Sequence, residues 1–292
     1  MPGFSIRGII PCLLTPFTGS GEPDLPLLAR NVRHLDRTGV DAFCVGGVAA
    51  EMAGSAPAEF ARICGAVVDA TNKPVLASLY PDSTVEAVDL ARAAVSAGAQ
   101  AVLLAQPHYL FQPDLAGLEE MFRNVRREIP VPLLLSNSLA SAPLDRSAVE
   151  RLSEAGLIDG VHQGAGDPHL LTDLLAAGPR LPVLTGIEAL MYVAFLLGAE
   201  GAIASLAAVF PEDCVAMYAA IRRGDHAEAR LIHERLNRLW RALDHPVEFV
   251  ARLKFASSEQ GRPAGLARSP YDGLPPASVT EVRRALASDG KL

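Results

Sequence analysis

Short apolar runs alternate with amphipathic stretches eight times along this chain, and this alternation restricts the fold more than any other feature. Short apolar runs bounded by turn residues predict buried strands. The stretch 24–37 places Leu25, Leu28, Val32 and Leu35 on one face, which predicts an amphipathic helix. The predicted strands are 8–14, 42–45, 74–79, 101–105, 131–136, 158–162, 182–185 and 201–204. Parallel strands that alternate strictly with helices close readily into an α/β (β/α)8 TIM barrel, which we predict here.

The last quarter of the chain shows a different pattern. Beyond residue 222 the sequence predicts helices alone, over 224–243, 247–259 and 278–287, with a Pro-rich joint at 261–276. We therefore predict a barrel over 1–222 and a C-terminal helical extension over 223–292 that packs on it. The length of 292 residues agrees with this division, since such barrels take about 250 residues.

Charge and hydropathy exclude several classes of partner. The formal net charge of -7 argues against nucleic acid or an anionic membrane surface as the main partner. The N-terminus lacks the pattern of a signal peptide, and the most apolar stretch, 186–209, contains Glu188 and Glu200. The four cysteines have apolar neighbours and no metal-ligand spacing, which indicates buried reduced thiols. We expect a cytoplasmic protein that acts on a small molecule.

Candidate site residues follow the strands, because βα barrels place their chemistry at the carboxyl ends of the strands. His162 is the strongest of them, since imidazole titrates near neutrality and can act as a general acid or base. The competing interpretation is a structural histidine that is hydrogen-bonded to a neighbour. Glu51 is interpreted as stabilising a helix N-terminus through the dipole, and Glu188 remains ambiguous on the same grounds. Together with His108 and His162 these acids show no HxH or HxxE spacing, so we expect no metal and no cofactor.

Eight segments in register carry a family resemblance. They are 14–17 (Leu-Thr-Pro-Phe), 46–51, 82–87, 98–101, 107–109, 198–205, Pro211 and 261–270. Over essentially the whole chain this arrangement resembles the dihydrodipicolinate synthase / N-acetylneuraminate lyase family. The resemblance implies a barrel lyase that assembles as a homodimer or homotetramer.

The resemblance also implies that the family's catalytic groups are largely replaced. Family members form an imine between pyruvate and a lysine at the end of strand 6, and His162 falls at that position. The proton-relaying tyrosine falls at Ser136, and the two threonines that hold the pyruvate carboxylate fall at Val48 and Ala49. Tyr109, which family members insert across a dimer interface, is retained. Imidazole cannot form an imine, because that condensation needs a primary amine.

Three functions remain open. The first is a divergent lyase that acts on a small carbonyl-containing molecule without a lysine Schiff base. The second is a non-catalytic barrel that binds a metabolite or a protein. The third is an ordinary pyruvate-dependent aldolase, which requires a different register at strand 6. For the first, the expected catalytic residues are His162, Tyr109 and Ser136, and the expected substrate-binding residues are Gly47, Val48, Ala49, Asn137, Gln163 and Ile203. The chain has three lysines, Lys73, Lys254 and Lys291, and none is expected to reach the mouth of the barrel.

Overall fold

A computed structural model of the chain describes residues 6–52, 55–107, 112–141, 143–176, 181–271 and 273–292. Within these residues eight parallel strands form one sheet in the order β1-β8-β7-β6-β5-β4-β3-β2. The strands are β1 (Gly8–Pro11), β2 (Phe43–Gly46), β3 (Val75–Leu79), β4 (Ala101–Ala105), β5 (Leu133–Asn137), β6 (Gly160–Gln163), β7 (Val183–Thr185) and β8 (Gly201–Ala204).

The sheet closes on itself between its first two strands. An isolated parallel bridge joins Cys12 to Cys44, and the Leu13 amide donates to the Cys44 carbonyl oxygen at 2.9 Å. These contacts nearly close the barrel, and every position of the eight described strands is buried. The predicted (β/α)8 barrel is confirmed.

The predicted strand positions hold, but several ends shift by two or three residues. The first strand ends at Pro11, three residues early, and the sixth runs over Gly160–Gln163 instead of 158–162. Asp159 explains the later start of β6. Its Oδ2 accepts the Leu133 amide N–H at 2.8 Å, and its carboxylate pairs with Arg126. Asp159 thus uses its side chain to bond the start of β5, and the backbone pairing of β5 with β6 begins one residue later, at Gly160.

Helices connect the strands on the outside of the barrel. They are α1 (Leu25–Leu35), α2 (Pro57–Val68), α3 (Thr84–Ser96), α4 (Leu115–Glu128), α5 (Arg146–Glu154), α6 (Pro168–Ala176), α7 (Met191–Leu196), α8 (Leu206–Val209) and α9 (Pro211–Arg222). Several begin at a side chain that accepts an orphan amide, namely Asp24, Ser83, Asp114 and Asp145.

The C-terminal residues form α10 (His226–Leu243), α11 (Phe249–Glu259) and α12 (Pro276–Ser288). Helix α10 packs against α9, whereas α11 packs against α8 and against the 3-10 helix Val48–Ala50 that follows β2. The extension therefore reaches the carboxyl-terminal end of the barrel. Among the helices of the described ranges, none combines the length and apolar character needed to cross a membrane.

Candidate active site

A cavity of about 410 Å³ opens at the carboxyl ends of the barrel strands. Its wall is formed by side chains that follow the strands and by the segment between α10 and α11. The lining residues are Cys12, Cys44, Gly47, Val48, Ala49, Ser78, Tyr80, Leu103, Ser138, His162, Gly164, Gly186, Glu188, Ile203, Ser205, Trp240, Asp244, His245, Pro246 and Phe249. A concave site in this position is where barrel enzymes carry their chemistry.

His162 lies on β6 opposite Ser136 of β5 and is 8% exposed. Its Nε2 lies 3.3 Å from the Ile203 carbonyl oxygen, which accepts only, so Nε2 carries the hydrogen. Nδ1 is then a bare acceptor, and it has no hydrogen-bond partner. Burial lowers the pKa of His162 to about 4, against a smaller opposing effect of the Ile203 carbonyl. The ring is therefore neutral at physiological pH.

Glycine provides the space that the imidazole occupies. A Cβ at Gly186 would lie 2.1 Å from the His162 Nε2, and one at Gly164 would lie 3.1 Å from its Cε1. Gly186 follows β7 directly and Gly164 follows His162 by two residues. Any larger residue at Gly186 would displace the ring from its position beside Ile203.

A chain of hydroxyl groups runs from β5 to the cavity. The Ser136 Oγ lies 3.0 Å from the Ser138 Oγ, which lies 3.2 Å from the Tyr80 hydroxyl oxygen. Ser136 is fully buried, whereas Ser138 and Tyr80 line the cavity. Burial raises the pKa of Tyr80, so its phenol stays protonated. Tyr80 was not among the residues predicted from the sequence. It directly follows β3, so the expectation that site residues lie at the carboxyl ends of the strands applies to it as well.

Asn137 and Gln163, expected to bind substrate, lie elsewhere. They form the next pair along β5 and β6, and alternation turns their side chains away from the barrel axis. The Asn137 Nδ2 donates to the Gln163 Oε1 at 2.8 Å, and Asn137 also holds the backbone of Leu144. Neither residue lines the cavity; Asn137 holds the loop after β5, and the Gln163 Nε2 donates to the Ala165 carbonyl oxygen in the loop after β6.

The loop after β2 contributes Gly47, Val48 and Ala49 to the wall. Gly47 adopts a φ of 95°, which favours glycine, and Val48 is 65% exposed. Ile203, also expected at the site, lines the cavity from β8. Tyr109, the remaining expected site residue, lies outside the described residues.

The structure corrects the interpretation that Glu51 stabilises a helix N-terminus. Glu51 does not begin a helix; it ends the 3-10 helix Val48–Ala50 with a φ of 57°, and α2 starts six residues later at Pro57. Its Oε1 lies 2.5 Å from the Nζ of Lys254, and its Oε2 accepts the amide N–H of Arg268 at 2.6 Å. The carboxylate is a buried anchor for the extension, which sequence spacing does not reveal because the partners lie about 200 residues away.

Glu188 is another ionisable group that lines the cavity. It is 9% exposed, and its Oε1 accepts the Ser205 amide N–H at 2.9 Å. Burial raises its pKa to about 7, the nearby Asp244 carboxylate adds to the rise, and the Ser205 amide opposes it. A group with this pKa exchanges protons near neutral pH.

The extension supplies Trp240, Asp244, His245 and Phe249 to the mouth of the cavity. The Trp240 and Phe249 rings meet edge to face, with centroids 5.7 Å apart and planes at 81°. No sequence signal marks these residues, since they belong to a segment that follows no strand.

All three lysines lie in the described ranges, and none lines the cavity. Lys73 pairs with Asp36 at 3.4 Å, Lys254 pairs with Glu51, and Lys291 pairs with Asp213 at 2.5 Å. All four cysteines are free and buried, as expected. Over the described part of the chain, no three His, Cys, Asp or Glu side chains are arranged to hold a metal ion.

The barrel has its cavity at the carboxyl ends of the strands. This places the chain in the class of (β/α)8-barrel proteins whose site is built from the βα loops. A model of the dihydrodipicolinate synthetase family matches residues 5–288. The chain therefore belongs to this family, whose members are lyases.

Similar proteins cover nearly the whole chain. A 4-hydroxy-tetrahydrodipicolinate synthase of Pseudomonas aeruginosa is 33% identical over 98% of this chain and 99% of its own length. One of Methanothrix thermoacetophila is 32% identical over 96% of both. A prophage protein of E. coli K12 from the dihydrodipicolinic acid synthase family, solved in complex with pyruvate, superimposes with a TM-score of 0.92 at 26% identity, over 98% and 99% of the two chains.

Proposed function

We propose that this chain is a divergent lyase of its family, acting on a small carbonyl-containing molecule without a lysine Schiff base. The observation that carries the proposal is the position of His162. It lines the cavity from the end of β6, while the amines of Lys73, Lys254 and Lys291 are held by carboxylates elsewhere. An imine cannot form where no primary amine meets the substrate.

The cavity offers two groups for proton transfer in place of an imine. The bare Nδ1 of neutral His162 accepts a proton from a substrate hydroxyl. The carbon–carbon bond beside that hydroxyl then breaks, and its electron pair moves toward the neighbouring carbonyl. Glu188, whose pKa is about 7, donates the proton that the resulting enolate oxygen needs. Tyr80 supports the same oxygen as a neutral hydrogen-bond donor through its link to Ser138.

Borohydride reduction in the presence of pyruvate tests the absence of an imine. We expect the intact mass of the protein to remain unchanged, whereas a family synthase with lysine at the end of strand 6 gains a reduced pyruvate adduct. The matched variant is Lys254→Arg, which removes the buried amine and keeps the positive charge. A stoichiometric adduct on the unmodified protein contradicts the proposal, and its loss in Lys254→Arg would identify Lys254 as the nucleophile.

The names of the relatives favour a second candidate, the 4-hydroxy-tetrahydrodipicolinate synthase reaction itself. It requires a carboxylate-binding, imine-forming site, and the cavity wall has apolar side chains at Val48 and Ala49. The borohydride experiment separates the two candidates, because only the second predicts an adduct.

A further inference from the structure

We infer that the cavity selects a carbonyl compound that bears an ammonium group and no carboxylate. The inference rests on the proposed function for its carbonyl chemistry, and on the charges of the wall for the rest. It concerns the part of the substrate that lies toward the mouth, between Glu188 of the barrel and Asp244 of the extension.

The first step is the charge of the wall. Glu188 and Asp244 are the acids of the described lining, and the same lining contains no lysine or arginine. His162 is neutral at physiological pH because burial lowers its pKa to about 4. His245 uses Nδ1 to accept the amide N–H groups of Val247 and Glu248, at 3.2 and 3.0 Å, which requires that nitrogen to be unprotonated. The ionisable wall is therefore neutral or negative.

A carboxylate substrate meets an unfavourable environment in such a cavity. Burying an anion without a cation or sufficient donors is costly, and a like charge within several ångströms adds repulsion. The loop after β2 presents Val48 and Ala49, whose side chains donate nothing, and the side-chain donors of the wall are uncharged hydroxyl groups such as those of Tyr80 and Ser138. Asn137 and Gln163, which have amide donors, are turned away and bonded to each other.

An ammonium group meets the opposite environment. The Asp244 carboxylate attracts it, the Glu188 carboxyl can accept a hydrogen bond from it, and Trp240 and Phe249 line the mouth with aromatic rings, a type of side chain that binds cations.

A buried nitrogen of a lining residue also favours a ligand that has a hydrogen to donate. The His162 Nδ1 is buried without a hydrogen-bond partner, and the rest of the ring is fixed by Ile203 and Gly186. A buried acceptor without a partner is disfavoured unless a ligand supplies the donor. A hydroxyl or amine hydrogen of the substrate meets that requirement, and a carboxylate does not.

The test uses three small carbonyl compounds of similar size and different charge, namely aminoacetone, hydroxyacetone and pyruvate. Trp240 is the one tryptophan of the chain and lines the cavity, so its fluorescence reports binding directly. We expect aminoacetone to bind about tenfold or more tightly than pyruvate, with hydroxyacetone between them, because charge interactions at several ångströms in a partly buried site reach this size.

The variants Glu188→Gln and Asp244→Asn remove one carboxyl each and should reduce the preference for aminoacetone over hydroxyacetone about tenfold. Glu234→Gln is the control, since it makes the same change on the exposed face of α10 and does not line the cavity. Circular dichroism of each variant confirms that it is folded.

Two outcomes overturn the inference. One is saturable pyruvate binding, without an adduct, that equals or exceeds the binding of aminoacetone. The other is the absence of saturable aminoacetone binding to the unmodified protein. Both leave the imine-free function standing, whereas a borohydride-trapped pyruvate adduct overturns that function instead.

Discussion

The Lys254 ammonium group of α11 lies 2.5 Å from the Glu51 Oε1 and joins the extension to the loop after β2. Both side chains are almost fully buried, and the Lys254 Nζ also donates to the Leu266 carbonyl oxygen and lies 4.8 Å from the centre of the Phe17 ring. This pair connects the wall of the cavity to the helices that complete its mouth.

Breaking this pair should destabilise the protein strongly. Lys254→Met leaves the Glu51 charge buried without its partner, so we expect the free energy of unfolding to fall by about 3–5 kcal/mol in urea titrations. The double variant Glu51→Gln/Lys254→Met should be less destabilised than Lys254→Met alone. As a control, Glu150→Gln removes an exposed pair with Arg146 and should cost about 0.5 kcal/mol or less. A cost below about 1 kcal/mol for Lys254→Met contradicts this account.

Glu188 should make stability decrease as the pH rises toward neutrality. Its pKa of about 7 in the folded chain exceeds the ordinary value of 4.5, so the folded state binds more protons between these values. The stabilisation is therefore complete below about pH 4.5 and is lost as the pH rises through about 7, by roughly 2–4 kcal/mol. The groups that face Glu188 are Asp244, which raises its pKa, and Ser205, whose amide lowers it.

Urea titrations at a series of pH values measure this effect. In the unmodified protein His162 opposes this effect below about pH 6.5, so Glu188→Gln should make stability rise with pH between about pH 5 and pH 6.5, and Glu234→Gln should leave the dependence of the unmodified protein unchanged. The same slope in the unmodified protein and in Glu188→Gln would show that another group is responsible. His162 contributes with the opposite sign, because its pKa is lowered from 6.5 to about 4 and its contribution to stability is lost as the pH falls from about 6.5 to about 4.

Gly186→Ala should disturb His162 specifically. The added Cβ would lie 2.1 Å from the Nε2, and relieving this contact should cost about 1–3 kcal/mol of stability. Combining it with His162→Ala should recover part of that cost, since the clashing ring is gone. Gly166→Ala serves as the control, because nothing lies within 4 Å of its added Cβ. Equal costs for Gly186→Ala with and without His162 would exclude the contact as the cause.

His162→Lys should not restore pyruvate aldolase activity by itself. Ser136 stands where the family has its proton-relaying tyrosine, and Val48 and Ala49 stand where it has the threonines of the carboxylate site. Activity should be assayed with pyruvate and a family aldehyde substrate, beside a synthase with the complete set. Aldolase turnover in the single variant would show that the amine alone had been missing.

Assembly is predicted by the resemblance, through Tyr109. Family members insert this tyrosine across a subunit interface, so we expect a homodimer or homotetramer in light scattering at micromolar concentration. Tyr109→Ala should shift the equilibrium toward smaller species, and Tyr271→Ala, which changes an exposed tyrosine, should not. A monomer under these conditions contradicts the prediction.

By itself the sequence determined the eight strands, the helices between them and the absence of strands after residue 204 in the described chain. These features depend on local hydrophobic period and on caps such as Asp24 and Ser83, which neighbouring residues specify. Strand ends also placed His162 near the cavity, because parallel strands bring their carboxyl ends together. Tertiary structure alone decided which of two adjacent residues faces inward, and so it separated His162 from Gln163 and Ser136 from Asn137.

The tertiary structure also brought Trp240, Asp244 and Phe249 to the mouth of the cavity. It brought Lys254 to Glu51 as well, over a sequence separation that no local pattern encodes. The tertiary structure likewise decided the protonation of Glu188 and His162, because a pKa depends on burial and on charges that folding brings near.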